Sequence, residues 1–217
     1  MNIELARFNM IEQQIRPWNV LDPAILELLA VMRREDFLPP AYRALAFVDT
    51  EVPLPDGQCM LAPRVEARML QELDLQRHER VLEVGAGSGF MAALLAHRAR
   101  SVTSLEIRPA LATFAAANLQ RAGVSNAKVR VLDGARGLPD DAPFDAIVLS
   151  GSVDSVPQSL LEQLTPGGRL IAIVGDEPMM RAVRVRRLAA SQFESTELFD
   201  TVAPRLSGFN ESSRFRF

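Results

Sequence analysis

From residue 81 onward, short apolar runs alternate with longer segments whose apolar residues recur at helical spacing. Residues 81–84, 101–105, 129–132, 144–150 and 169–174 are rich in Val, Ile and Leu and have the length of buried strands. Between them lie an Ala- and Leu-rich segment from Met91, another opened by Pro109 and closed by Gly123, and a short stretch over 157–164. Such alternation predicts a parallel sheet covered on both faces, with ligands bound beyond the carboxyl ends of the strands. Residues 193–206 and 214–217 read as two further strands, paired antiparallel across the turn-rich residues 207–210.

The first third has a different pattern. Ile3, Phe8, Ile11 and Ile15 predict an amphipathic helix over 3–16, closed by Arg16-Pro17. A second helix has Asp22 as its N-cap, Pro23 in its first turn and Ile25, Leu28, Leu29 and Met32 on one face. Arg33 and Arg34 follow where a helix C-terminus favours cations. Trp18 and Tyr42 are expected to pack between these helices and the sheet. Residues 51–63 form a loop punctuated by Pro and Gly, ahead of a helix over 64–73. A long loop in a compact domain is often functional.

Candidate chemistry concentrates at 81–90, Val-Leu-Glu-Val-Gly-Ala-Gly-Ser-Gly-Phe. A strand runs into three alternate glycines and then a helix, so backbone can approach a ligand closely and helix N–H groups face it. The next strand ends in Glu106, an acid placed to accept hydrogen bonds from both hydroxyls of a ribose. Dinucleotide sites space their glycines G-x-G-x-x-G, and Phe90 stands where that pattern wants a small residue. Glu83, inside the strand before the turn, completes E-x-G-x-G-x-G, which is similar to the signature of S-adenosylmethionine-dependent methyltransferases. A methyl-donor site is therefore expected, with a dinucleotide site as the rival.

Composition narrows the partners. Of 217 residues, 48% are hydrophobic and 24% charged, which is globular and enough for a large core. A net charge of −3 argues against a general nucleic-acid surface. The local cluster Arg181, Arg184, Arg186 and Arg187, interleaved with Val183, Val185 and Leu188, reads as the solvated face of an outer strand. One cysteine excludes an internal disulfide, and with His78 and His97 it cannot make a Cys/His zinc site. With no membrane-length apolar run and no signal-peptide pattern at the start, the expected home is the cytoplasm.

Taken together, the segments resemble the protein-L-isoaspartate O-methyltransferase family over most of the chain. Residues 31–39, Val-Met-Arg-Arg-Glu-Asp-Phe-Leu-Pro, look like its segment before the substrate loop. Residues 53–63 are similar to that loop, usually P-I-G-x-G-Q-T-I-S-x-P followed by V-A-x-M, and 81–90 match its cofactor motif. Asp133-Gly134, residues 144–148 and Gly167-Gly168 also fit. The substrate loop departs from the pattern: Thr-Ile-Ser is here Cys59-Met60-Leu61, and Pro55 replaces a glycine. In the late F-V-P-L segment, the aromatic position is Val202. Leu61, at the family serine, has neither donor nor acceptor.

The resemblance implies a single α/β domain over 1–217, Rossmann-like and of the class I methyltransferase type. Its mostly parallel sheet would have seven strands, with helices on both faces. An N-terminal helical extension, its helices forming a partial lid over the cofactor, and the substrate loop would occupy 1–75, and the cofactor core with C-terminal antiparallel strands 76–217. The cofactor would be S-adenosyl-L-methionine, giving S-adenosyl-L-homocysteine, held by Glu83, Gly85, Ala86, Gly87, Gly89, Glu106, Ile107, Asp133, Gly134 and Ser150. Within this set Glu83 would orient the amino group, Glu106 the ribose and Asp133 the adenine amino group. Gln58, Cys59, Met60, Leu61 and Pro204 would meet the substrate, and Asn210 is a further polar loop candidate. No residue is assigned to catalysis and none to a metal. The acceptor is a protein or peptide carboxylate, or a small molecule, with no nucleic acid or membrane partner. Three functions stay open: isoaspartyl carboxyl methylation, methylation of another acceptor, and cofactor binding without transfer. The oligomeric state stays open as well.

Overall fold

A computed structural model describes residues 2–209. A seven-stranded sheet organises it. Chain order runs β1 (Val52–Pro53), β2 (Cys59–Met60), β3 (Arg80–Val84), β4 (Ser101–Glu106), β5 (Ala127–Val131), β6 (Phe144–Val153), β7 (Leu164–Asp176), β8 (Met179–Ala189) and β9 (Gln192–Asp200). The large sheet has the order β5-β4-β3-β6-β7-β8-β9, while β1 and β2 form a separate antiparallel hairpin. From β5 to β7 all pairings are parallel, and β8 and β9 add an antiparallel edge. The central strands lie as the apolar runs predict, because a parallel strand covered on both faces needs no polar alternation, while β5, at the edge, leaves Val131 and the following Leu132 exposed. Leu82, Ile147, Val148, Leu149, Leu170 and Ile171 are fully buried.

Helices α1 (Ile3–Met10), α2 (Pro23–Val31), α3 (Pro63–Leu73), α4 (Phe90–Arg98), α5 (Pro109–Arg121) and the short α6 (Gln158–Leu161) cover the sheet. The Asp22 side chain accepts a hydrogen bond from the Ala24 N–H at 2.8 Å, the expected cap, and Ile25, Leu28, Leu29 and Met32 are buried. After β3 the chain moves outward to β4 and β5, then returns to place β6 on the other side of β3. That reversal opens a crevice at the carboxyl ends of β3 and β6, the place where such sheets bind ligands. In β6, two extra residues lie between Val148 and Ser152 relative to β7. The irregularity turns Ser150 toward β3.

Four expectations are corrected. The strand expected over 193–206 is β9, which ends at Asp200 and pairs antiparallel with β8 across a turn at 190–191; residues 201–206 leave the sheet, and the partner strand expected over 214–217 lies outside the described residues, as does Asn210. The first helix becomes a π-helix over Ile11–Ile15, which rotates its faces, so Ile11 and Ile15 are buried while Ile3 and Phe8 are exposed. Trp18 packs edge-on to Phe199 of β9 at 5.6 Å, but Tyr42 is exposed. Arg34 does not cap a helix: α2 ends at Val31, and Arg34 is buried against α3. The cluster on β8 is largely paired, with Arg181 on Glu197 and Asp200, Arg184 on Glu72, and Arg187 on the Glu162 and Leu164 carbonyls.

Candidate functional site

Three glycines bend the chain from β3 into α4. Gly85 has φ +93° and Gly89 φ +83°, conformations that side chains strongly disfavour. A Cβ on Gly89 would stand 3.0 Å from the Ala115 carbonyl of α5, so this turn also needs glycine for close packing. Two adjoining hollows, both open to solvent, lie against the turn. Gly85, Gly87, Ser150 and Cys59 line both.

Glu83 stands at the floor of the first hollow, fully buried. Its carboxylate accepts hydrogen bonds from the Ser104 hydroxyl at 2.5 Å and the Ser150 hydroxyl at 2.8 Å. Burial pushes its pKa up to about 8; the two hydroxyls pull it down, while Glu66 and Glu106 add to the rise. The rest of the wall is Met60, Leu61, Glu66, Met69, Ala86, Ser88 and Met91. Thioethers and carboxylates together suit a cation that carries apolar groups.

The second hollow contains Glu106, which accepts from the Gly87 N–H and from the Arg108 N–H, each at 3.0 Å. These bonds fix the carboxylate at the mouth, and its remaining lone pairs suit a diol. Val84, Leu105, Ile107, Leu111, Leu132 and Leu206 make apolar walls for a flat ring, and Gly134 leaves room beside them. Leu206 comes from the segment after β9. Its N–H bonds to the Ser152 carbonyl at 2.9 Å, and Arg108 donates to the Ser207 hydroxyl at 3.1 Å, which closes that side.

The loop at 51–63 is a hairpin against both hollows. Leu54 N–H donates to the Gln58 carbonyl at 2.8 Å, and β1 and β2 pair Val52 with Met60 and Pro53 with Cys59. Gln58 and Cys59 face the second hollow, Cys59, Met60 and Leu61 the first. Leu61 also lines a third hollow on the outer side, with Trp18, Glu51, Arg64, Asp200 and Val202. It is thus a wall between a donor side and an outer side. Burial and Glu51 push the Cys59 thiol up to about 12, so it stays protonated and is no nucleophile.

Most of the residues expected from the sequence come together here. Pro204 and Asp133 stand apart. The Pro204 carbonyl accepts from Ser152 N–H at 2.8 Å, and Asp133 caps the Ala135 N–H at 3.0 Å beside a separate hollow with Gly208 and Phe209. Gly89 shapes the turn from behind, against α5. Of the N-terminal helices only α3 reaches the hollows, through Glu66 and Met69; the rest of the cover is the hairpin and Leu206-Ser207, while the apolar residues of α2 pack in the core. Met91 and Arg108 carry no local motif, and Glu66, Met69 and Leu206 fall in segments matched to the family, whose spacing does not say that these side chains line the donor hollows. Among the described residues no group of three or more His, Cys, Asp or Glu could hold a metal ion, and no helix is long and apolar enough to cross a membrane.

An acid-glycine turn with a second acid at the end of the next strand, set at the switch point of this sheet, defines a class I S-adenosylmethionine-dependent methyltransferase. The family model of protein-L-isoaspartate(D-aspartate) O-methyltransferase matches residues 6–202, and the chain belongs to that family. Protein-L-isoaspartate O-methyltransferase 1 of Rhodopseudomonas palustris strain HaA2 is 44% identical over 195 residues, covering 89% of this chain and 80% of the relative. The Syntrophobacter fumaroxidans enzyme of the same name is 42% identical over 185 residues, covering 85% and 86%. A Plasmodium falciparum protein of the same family name, crystallised with S-adenosyl-L-homocysteine, shares the fold at TM-score 0.80 and 20% identity, covering 95% of this chain and 99% of its own.

Proposed function

We propose that this protein transfers the methyl group of S-adenosyl-L-methionine to the side-chain carboxylate of isoaspartyl residues in a protein or peptide. The observation that carries the reading is the hairpin of residues 51–61 laid against the donor hollows, with Leu61 shared between the donor and outer sides. Membership of the family and relatives above 40% identity support it.

The residues present fit the donor. Gly85 and Gly87 keep the turn free of side chains, Glu106 offers a carboxylate to ribose hydroxyls, and Ile107, Leu132 and Leu206 sandwich a base. Gly134 lies at the base end, while Asp133, next to it in the chain, caps Ala135 beside a separate hollow and would have to turn from that contact to meet the adenine amino group. Glu83, held by two serine hydroxyls, lies at the methionine end, where the cationic amino group of a bound donor would favour its ionised form. When bound, the donor supplies a methyl group made electrophilic by the positive charge on sulfur.

The acceptor carboxylate is already ionised near neutral pH, so the chain needs no general base. Its task is to bring the carboxylate into line and strip water from it. Gln58, Cys59, Met60 and Leu61 form the acceptor wall, with Val202 and Pro204 on the segment behind. Without a hydroxyl at position 61, orientation falls to backbone groups and to shape. We place the reaction in the cytoplasm, where the single thiol stays reduced. Incubating the protein with labelled S-adenosylmethionine and an isoaspartyl peptide tests the reading: label on the isoaspartyl carboxyl supports it. Tight S-adenosylhomocysteine binding without label would move the search to another acceptor.

A further inference from the structure

We propose that Arg34 is a positioning residue for methyl transfer, holding the acceptor hairpin in register with the donor hollow; this rests on the function proposed above. Arg34 is 1% exposed and lies outside every motif of the cofactor site. One guanidinium nitrogen donates to the Leu61 carbonyl at 2.6 Å, and the other donates to Glu66, which lines the donor hollow. The guanidinium also stacks over the Phe90 ring, 5.0 Å from its centre, and Phe90 is the first residue of α4 after the glycine turn. Phe37, three residues on from Arg34, meets Phe90 edge-on at 5.3 Å. One buried cation therefore touches the acceptor loop, the donor hollow and the helix after the glycine turn.

This arrangement answers a need that Leu61 creates. Its side chain cannot hydrogen-bond to fix the loop, and β1 and β2 are only two residues each. The carbonyl of Leu61 is what remains to be held, and Arg34 holds it. A buried ion pair is seldom a net gain in stability over apolar packing, so its retention here fits a demand for geometry. A loop displaced by about 1 Å can cost about a hundredfold in rate. Lysine cannot replace the two-pronged contact, because it has a single point of charge and no plane to lay on Phe90.

The test uses the full chain with Arg34→Lys, Arg34→Met and Glu66→Gln. With an isoaspartyl peptide, Arg34→Lys is expected to lower kcat about 10- to 100-fold while the S-adenosylhomocysteine Kd stays within about threefold. Glu66→Gln should lower kcat less, and the double variant Arg34→Lys/Glu66→Gln should lose no more than Arg34→Lys alone. A second readout needs no acceptor: amide exchange over 52–62 should quicken at least about tenfold in Arg34→Lys, with α4 protection unchanged. That readout serves if Arg34→Met does not fold or if the wild type methylates no isoaspartyl peptide. Unchanged exchange in the loop would overturn the proposal. So would a kcat within about threefold of wild type, or losses in kcat and donor affinity that move together.

Discussion

Replacing Glu83 by Gln removes the buried acid of the donor hollow while keeping its shape. In the folded protein burial pushes this carboxyl up to about 8, against an ordinary value of 4.5. A carboxyl raised in this way binds a proton in the native state over a range where the unfolded chain has lost it. Its stabilising proton is fully present below about 4.5 and is lost as pH rises toward 8. Each pH unit well inside that window costs about 1.4 kcal/mol, so from about pH 5.5 to pH 7.5 the wild type loses on the order of 2–3 kcal/mol through this group. Glutamine carries no such slope, and its amide can still meet the Ser104 and Ser150 hydroxyls. Urea unfolding of both proteins across that range checks the figure, since the other titrating groups cancel in the difference. The variant should gain on the wild type by on the order of 2–3 kcal/mol as pH rises. Parallel pH dependences would refute the reasoning. If Glu83 holds the donor's amino group, the same variant should also bind S-adenosylhomocysteine more weakly near pH 8.

Other substitutions separate donor, fold and acceptor effects. Glu106→Gln removes a charged acceptor from the Gly87 and Arg108 N–H groups and from the proposed ribose contact. The S-adenosylhomocysteine Kd by calorimetry should weaken by about 10- to 100-fold, and Tm should fall by several degrees, because the amide can accept from only one of the two N–H groups. Gly89→Ala meets both a φ of +83° and the Ala115 carbonyl at 3.0 Å, so denaturation should show a loss above about 2 kcal/mol. Gly123→Ala, at φ +71° with nothing within 4 Å, should lose only about 1 kcal/mol. Leu61→Ser empties part of a buried site and should cost about 2–4 kcal/mol by urea unfolding. It returns a hydroxyl to the acceptor wall, so kcat/KM on an isoaspartyl peptide should rise severalfold.

The sheet was legible because its signal is local. Residues 81–84, 144–150 and 169–174 are continuous apolar runs, and a strand buried on both faces has little else to be. The glycine turn, Glu83 and Glu106 were legible for the same reason, each being set by its place at a strand end. The edge was harder. The β8–β9 turn at 190–191 has no Gly or Asn to announce it, whereas the turn at Ser207-Gly208 follows a segment, 201–206, that has already left the sheet. The face of α1 was misjudged because the π-helix over Ile11–Ile15 shifts the helical period, and no residue there signals it. Arg34 and Glu66 lie 32 positions apart, and their pairing arises only when α3 folds back beside the hairpin. Leu206 enters the donor hollow from the far end of the chain, through one bridge to Ser152. Contacts of that kind have no spacing to read.

Selectivity for the isoaspartyl linkage tests the proposed function most directly. Two peptides of one sequence, one with isoaspartate and one with ordinary aspartate, are offered together with labelled S-adenosylmethionine, and S-adenosylhomocysteine binding is measured on the same sample. Label should accumulate on the isoaspartyl peptide with a kcat/KM far above that for its aspartyl twin. Tight binding of S-adenosylhomocysteine with both peptides left unlabelled would contradict an isoaspartyl methyltransferase built on this hairpin.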